Sequence, residues 1–205
     1  MASRRLFLAV HLSEHLRDRL ARLQHVLADH EPAVRRVAAE NLHLTLHFLG
    51  NTADDRIAAV RGAMSRALSA FERFDARARG AGCFPSARKP RVFWAGVEDP
   101  TGRLAAIHAS LARELTALGF ELDSRRFSPH ITIAHARKRA DRSDLVAAAA
   151  DLAASAATRL GPRGTLLPVQ AVSLVESVLG RGGPQYTDVE AFVLGAGSGA
   201  AADGR

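Results

Sequence analysis

The chain has 205 residues, 47% of them hydrophobic and 24% charged, a composition that suits one large globular domain or two coupled lobes with a substantial core. The formal charge of +7, from 28 Lys+Arg against 21 Asp+Glu, favours polyanionic partners, although lysine occurs only at Lys89 and Lys138 and an Arg- and Ala-rich chain is also what a GC-rich genome encodes. Cys83 is the sole cysteine, which excludes an internal disulfide and a cysteine-based metal site and leads us to expect a cytoplasmic location.

Ser3-Arg4-Arg5-Leu6-Phe7-Leu8 has the outline of a twin-arginine export signal. The apolar stretch breaks at His11, however, and Glu14, Arg17, Asp18 and Arg19 follow with no small-residue cleavage site, so Leu6 to Val10 reads as a first strand. No later run approaches roughly 18 uninterrupted apolar residues, and no membrane partner is expected. From Ser13, a candidate N-cap, Leu16, Leu20, Leu23 and Leu27 recur at helical spacing. Leu42, Leu44, Leu46 and Phe48 then alternate with His43, Thr45 and His47, the pattern of a half-buried strand ended by Gly50-Asn51. Ile57, Val60, Met64 and Leu68 mark a second helix, Phe74-Ala76-Ala78 a weak strand, and Pro85 to Pro90 a polar loop before a strand over Val92 to Val97. Leu104 to Leu118 reads as a helix stopped by Gly119, and Ile131 and Ile133 flank a second alternating strand. An Ala-rich helix from about Ser143 to Ala157 follows. Two last strands are expected near Val169 to Val178 and Tyr186 to Leu194, with a turn at Gly180 to Pro184. The order is not a clean βαβα series, so the expected fold class is α+β with two sheet-and-helix lobes over residues 1–194, and residues 195–205, small and polar, are expected to form a disordered tail.

The two alternating strands carry the same motif. The first reads His43-Leu44-Thr45-Leu46 and the second His130-Ile131-Thr132-Ile133, 87 positions later (130 minus 43). Residues two apart on a strand share a face, so each histidine sits beside its threonine while the aliphatics turn to the core. One such tetrapeptide is weak evidence, but two in the same context suggest an internal duplication facing one cleft. In-line opening of a phosphodiester needs a base on the attacking water and an acid on the departing oxygen. Histidine, with an unperturbed pKa of about 6.5, serves as either near neutral pH. Threonine hydroxyls donate to non-bridging oxygens without adding charge. A metal reading fares worse: His43 and His47 are four apart, but on a strand that is roughly 13 Å, and no His-Glu-x-x-His or acidic cluster accompanies either motif. His47 is expected on the polar face, and its loss is expected to be mild.

At this point the chain resembles the 2H phosphoesterase superfamily, and within it the bacterial and archaeal RNA 2′,3′-cyclic phosphodiesterases once called 2′-5′ RNA ligases (LigT-like). The resemblance runs through Arg5 to Ala9, Asn41 to Gly50, Phe127 to Ala134, and Ser177 with Gly183 and Tyr186. It implies a bilobal fold with pseudo-twofold symmetry, both motifs on a central cleft, His43 and His130 as the acid–base pair, and no cofactor. It also implies an RNA end bearing a 2′,3′-cyclic phosphate as substrate and a 2′-phosphate product. One departure stands out: where the family commonly has arginine this chain has His135, which by strand parity points away from His130 and Thr132. Arg125, Arg126 or Arg137 are candidates to compensate.

Around the motifs, Phe7, Phe48, Phe127 and Tyr186 are either base-stacking platforms or core aromatics, Phe48 being assigned to the core by alternation. Arg88, Lys89 and Arg91 are candidates for a basic rim. The expected binding set is thus Thr45, Thr132, Phe7, Arg126 and Tyr186, in a monomer. Two other readings stay open: an RNA-end binding module without turnover, which would not need two titrating groups, and a reversible 2′-5′ ligase, for which no nucleotide-activating lysine motif is present. The near-symmetric motifs leave the roles interchangeable on paper; the expected assignment is His43 as acid and His130 as base.

Overall fold

Period-two runs become strands and 3.6-residue runs become helices in the computed structural model, which describes residues 2–180 and 183–196. In chain order these are β1 (Ser3–His11), α1 (Glu14–Gln24), β2 (Val34–Arg36), β3 (His43–Ala53), α2 (Ile57–Leu68), β4 (Phe74–Phe84), β5 (Val92–Glu98), α3 (Arg103–Ala117), β6 (His130–Ala136), α4 (Arg142–Leu160), β7 (Thr165–Val169), β8 (Ala171–Gly180) and β9 (Gly183–Val193). Ser13 caps α1 as its position predicts, its hydroxyl accepting from the Leu16 amide at 3.3 Å. Gly119, at φ +80°, closes α3 with the paired bonds from the Gly119 amide to Thr116 and from the Phe120 amide to Leu115, a conformation that favours glycine. None of the described helices is long and apolar enough to cross a membrane.

Three strands, not two, end the chain. Gln170 separates β7 from β8, and Pro168 is tolerated in β7 because that strand lies at the sheet edge, with only β4 beside it. The short β2 has too few residues to show alternation, and the sequence reading passes over it. The expected turn at Gly180 to Pro184 includes residues 181–182, which lie outside the described residues, as do residues 197–205 of the expected tail. Gly195, placed in that tail by composition, exchanges backbone hydrogen bonds with Phe71 and Arg73.

The strands form one nine-stranded sheet in the order β7-β4-β5-β6-β3-β1-β8-β9, with β2 attached to β6, and its strand pairings are antiparallel. It divides at its middle into two lobes. Helices α1 and α4 pack on the β7-β4-β5-β6 half, whereas α2 and α3 pack on the half running from β3 to β9. Only Leu44↔Ile131 pairs β3 with β6, so the two lobes meet at the central aliphatic of each motif. Both residues are fully buried, and the same apolar core runs beneath both lobes. The opposite face of the sheet carries a second small cluster, Phe7, Ala9 and Val175 with Tyr186 against it, which forms a floor for what lies above.

Candidate active site

The Leu44↔Ile131 pairing places the two motifs antiparallel about a local two-fold centre. Continuing that register sets His43 across from Thr132 and Thr45 across from His130. The two histidines are then diagonal neighbours, about 7–8 Å apart at Cα in a regular antiparallel pair, enough to flank a phosphorus centre. All four side chains are half-buried on the face away from the helices, while Leu44, Leu46, Ile131 and Ile133 are buried on the core side.

The two histidines are held alike. His43 Nδ1 lies 2.7 Å from the Asn41 carbonyl and His130 Nδ1 lies 2.7 Å from the Ser128 carbonyl. A carbonyl only accepts, so each Nδ1 carries the proton and each Nε2 is left to face the cleft. Aromatic rings set both imidazoles. Tyr186 meets His43 edge-on at 5.3 Å with Phe7 tilted beneath it at 4.9 Å; Phe84 meets His130 edge-on at 5.0 Å with Trp94 at 6.5 Å. Asn41 also donates its side-chain amide to the Pro184 carbonyl at 2.8 Å, which draws the β8–β9 hairpin toward His43. Burial, the larger effect, and the nearby His11 push the His43 pKa below its ordinary value against the opposing bond to Asn41. His11 itself faces Asp188 at 2.8 Å.

Strict alternation fails in both motif strands at equivalent places. Against β1, Leu8 pairs with His47 but Ala9 with Thr45, so Leu46 is an extra residue; against β5, Phe93 pairs with Ala134 but Trp94 with Thr132, so Ile133 is an extra residue. Each bulge inverts the parity of the residues beyond it. His47, expected on the polar face, is therefore buried on the core side, where Nε2 donates to the His108 carbonyl at 2.8 Å and the ring stacks on His108 at 3.9 Å. Phe48, expected in the core, is 64% exposed. His135, expected to point away from the cleft, returns to the face of His130 and Thr132 and is half-buried there.

Other expectations divide. Phe7 is 3% exposed, covered by His43, Phe48 and Tyr186; a ring so enclosed braces His43 and has no free face to offer a base. Tyr186 keeps partial exposure beside His43. Phe127 stacks on His108 at 4.1 Å, in line with His47, immediately before the Ser128-Pro129-His130 approach. Of the arginines considered as compensation, Arg125 is bound by Asp123, and Arg137 donates to the carbonyls of Glu31 and Val34. Arg126 is exposed in the loop before β6, with no ion pair among the described residues. The sequence reading missed Phe84, Trp94, Gln24 and Arg35. Their only signal is membership of strands or a helix that tertiary pairing brings to the motifs. Gln24 is buried and donates at 2.7 Å to both Val37 and the bulged Ile133 carbonyl.

Comparison with known proteins agrees with this geometry. The sequence model of the 2′-5′ RNA ligase superfamily matches residues 12–177. A Methanothermobacter thermautotrophicus protein named RNA 2′,3′-cyclic phosphodiesterase is 35% identical over 190 residues, 93% of this chain and 98% of that one. A solved structure from Thermus thermophilus superposes with a TM-score of 0.76 at 29% identity, covering 94% of this chain and 99% of the other. Escherichia coli LigT in complex with 3′-AMP gives a TM-score of 0.72 at 26% identity, over 94% and 99% of the two chains. With its paired His-x-Thr strands at the centre of a bilobal LigT-like sheet, the chain belongs to the 2′-5′ RNA ligase superfamily.

Proposed function

We propose that the cleft hydrolyses the 2′,3′-cyclic phosphate at an RNA end to a 2′-phosphate, using His43 and His130 for proton transfer and no metal ion. The observation that carries this reading is the mirrored tether: two histidines, related through Leu44↔Ile131, each with Nδ1–H fixed to the carbonyl two residues back and Nε2 turned to the same face. The name of the Methanothermobacter relative, RNA 2′,3′-cyclic phosphodiesterase, supports the substrate class.

His43 is the better base. Its partial burial favours the neutral imidazole at pH 7, leaving the Nε2 lone pair free to take a proton from the attacking water. This reverses the assignment expected from the sequence. As the water oxygen bonds to phosphorus, the P–O3′ bond breaks on the opposite side, and His130, entering as the imidazolium with Nδ1 still bonded to Ser128, gives its Nε2 proton to the departing 3′ oxygen. The Thr45 and Thr132 hydroxyls donate to the non-bridging oxygens. Among the described residues no three His, Cys, Asp or Glu side chains gather so as to hold a metal ion, and the reading assigns all proton traffic to side chains. A binding module without turnover would need neither tethered imidazole.

The test is incubation with an RNA ending in a 2′,3′-cyclic phosphate, with and without excess EDTA. Undiminished hydrolysis to a 2′-phosphate is expected. Loss of activity on chelation, restored by one divalent metal, would sink the metal-free mechanism, and a 3′-phosphate product would show that the 2′ oxygen left instead.

A further inference from the structure

Two exposed cations beside the cleft take no part in the proton transfers above, Arg5 of β1 and Arg35 of β2, and Arg35 is the one whose register ties it to a motif strand. Arg35, the middle residue of β2, is registered directly opposite His135 of β6. Residues opposite one another in an antiparallel pair point to the same face. Because the Ile133 bulge returns His135 to the cleft face, Arg35 shares that face. Its neighbours agree: Val34 is buried in the core, and Arg36 is turned to an ion pair with Glu31 at 2.5 Å. Arg4, Arg61, Arg66 and Arg125 are likewise bound to carboxylates, whereas Arg35 has no carboxylate partner among the described residues and is exposed. Its charge is nevertheless felt on both sides of the cleft. Burial lowers the pKa of His135, in the lobe of His130, and Arg35 adds to that; burial raises the pKa of Tyr186, which packs on His43, and Arg5 and then Arg35 act against the rise.

We propose that Arg35 is the phosphate-anchoring cation of the cleft, its guanidinium holding non-bridging oxygens of the cyclic phosphate between the two His-x-Thr units. This rests on the phosphodiesterase reading and extends it. The four motif side chains supply one positive charge, on the His130 imidazolium, which is given up as its proton leaves, and hydroxyl donors do not neutralise an anion. A planar guanidinium grips two phosphate oxygens at once, and its pull grows as negative charge builds on them in the transition state. His135, half-buried beside it and disfavoured as a cation, leaves the anion to Arg35.

The experiment compares the wild type with Arg35→Met, which keeps the aliphatic stem but removes the charge, with Arg35→Lys, and with Arg36→Ala as a control. Two quantities are read: kcat/KM on a cyclic-phosphate RNA, and the affinity for inorganic phosphate followed through the NMR shifts of the His43 and His130 rings. Arg35→Met should lower kcat/KM by roughly 10- to 100-fold, the usual weight of a hydrogen bond to a charged group, and weaken phosphate binding comparably. Arg35→Lys should recover part of both, Arg36→Ala should stay close to wild type, and Arg35→Met/His135→Arg should regain phosphate affinity by returning a guanidinium to the same face. Phosphate affinity and kcat/KM unchanged in Arg35→Met would overturn the proposal while leaving the phosphodiesterase reading intact. If the wild type fails to hydrolyse the RNA, that reading falls, and the phosphate titration still decides for or against Arg35.

Discussion

At the scale of single residues, the tether on Nδ1 matters more than the identity of the histidine. An imidazole free to flip would offer its proton from either nitrogen, whereas the 2.7 Å bonds to Asn41 and Ser128 commit Nδ1 as donor in both His43 and His130. Replacing either histidine by alanine should lower turnover by at least roughly 100-fold, the usual worth of one general acid or base; Thr45→Ala and Thr132→Ala should cost less, since each removes one uncharged donor. Steady-state kinetics on a cyclic-phosphate RNA measures both. The pH profile then separates the roles. A base works when deprotonated, so the depressed pKa of His43 places the acidic limb of kcat/KM below 6.5 if His43 is the base. His11→Ala removes one cause of that depression and should move this limb upward. A shift confined to the alkaline limb would make His43 the acid, as the sequence reading had it.

At the scale of elements, the bulges at Leu46 and Ile133 decide which side chains reach the cleft. The inverted parity buries His47 at one end of a stacked column with the half-buried His108 and Phe127, which links β3 and α3 to the loop entering β6. His47→Ala removes the donor to the His108 carbonyl, and about 1–3 kcal/mol of stability should be lost, while kcat/KM at low temperature falls far less than in His43→Ala. Chemical denaturation alongside kinetics checks this, and equal severity would place His47 in the chemistry after all. Both stacked histidines have pKa values pushed down by burial, His108 to about 4 with the neighbouring His47 adding to the effect. The unfolded chain binds their protons from about pH 6.5, and the folded protein resists until lower pH. Their contribution is therefore intact above pH 6.5 and is lost as pH falls from there toward about 4. The urea midpoint should drop across that window, and by less in His108→Gln; a midpoint independent of pH there would contradict a stack that keeps both imidazoles neutral.

For the whole molecule, two lobes with their own helix pairs meet at one strand pairing, and the motifs lie at that seam. The full chain carries a formal charge of +7, and the substrate proposed for the cleft is an anion. Association with RNA ends should therefore weaken with salt, log kcat/KM falling linearly with log salt at a slope of about −0.7 per phosphate contacted on a single strand. A cyclic-phosphate oligonucleotide should show a steeper slope than a cyclic mononucleotide; equal slopes would confine recognition to the terminal phosphate.

Much of this was legible in the chain itself, because local periodicity reports which face of an element meets the core. The His-x-Thr repeats, the helix cap at Ser13, the stop at Gly119 and the α+β class all rest on interactions within a few residues. Parity was readable only as far as each strand stayed regular. Nothing local in Leu46 or Ile133 announces a bulge, because a bulge is a relation between a strand and its neighbour, and with it went the placement of His47, Phe48 and His135. The same reason hid Arg35, a residue of a three-residue strand that acquires a face only by pairing with β6. Which side chains are candidates for chemistry was written in the sequence; which of them share one cleft was decided by long-range strand register, where the pairing of distant segments outweighs local pattern.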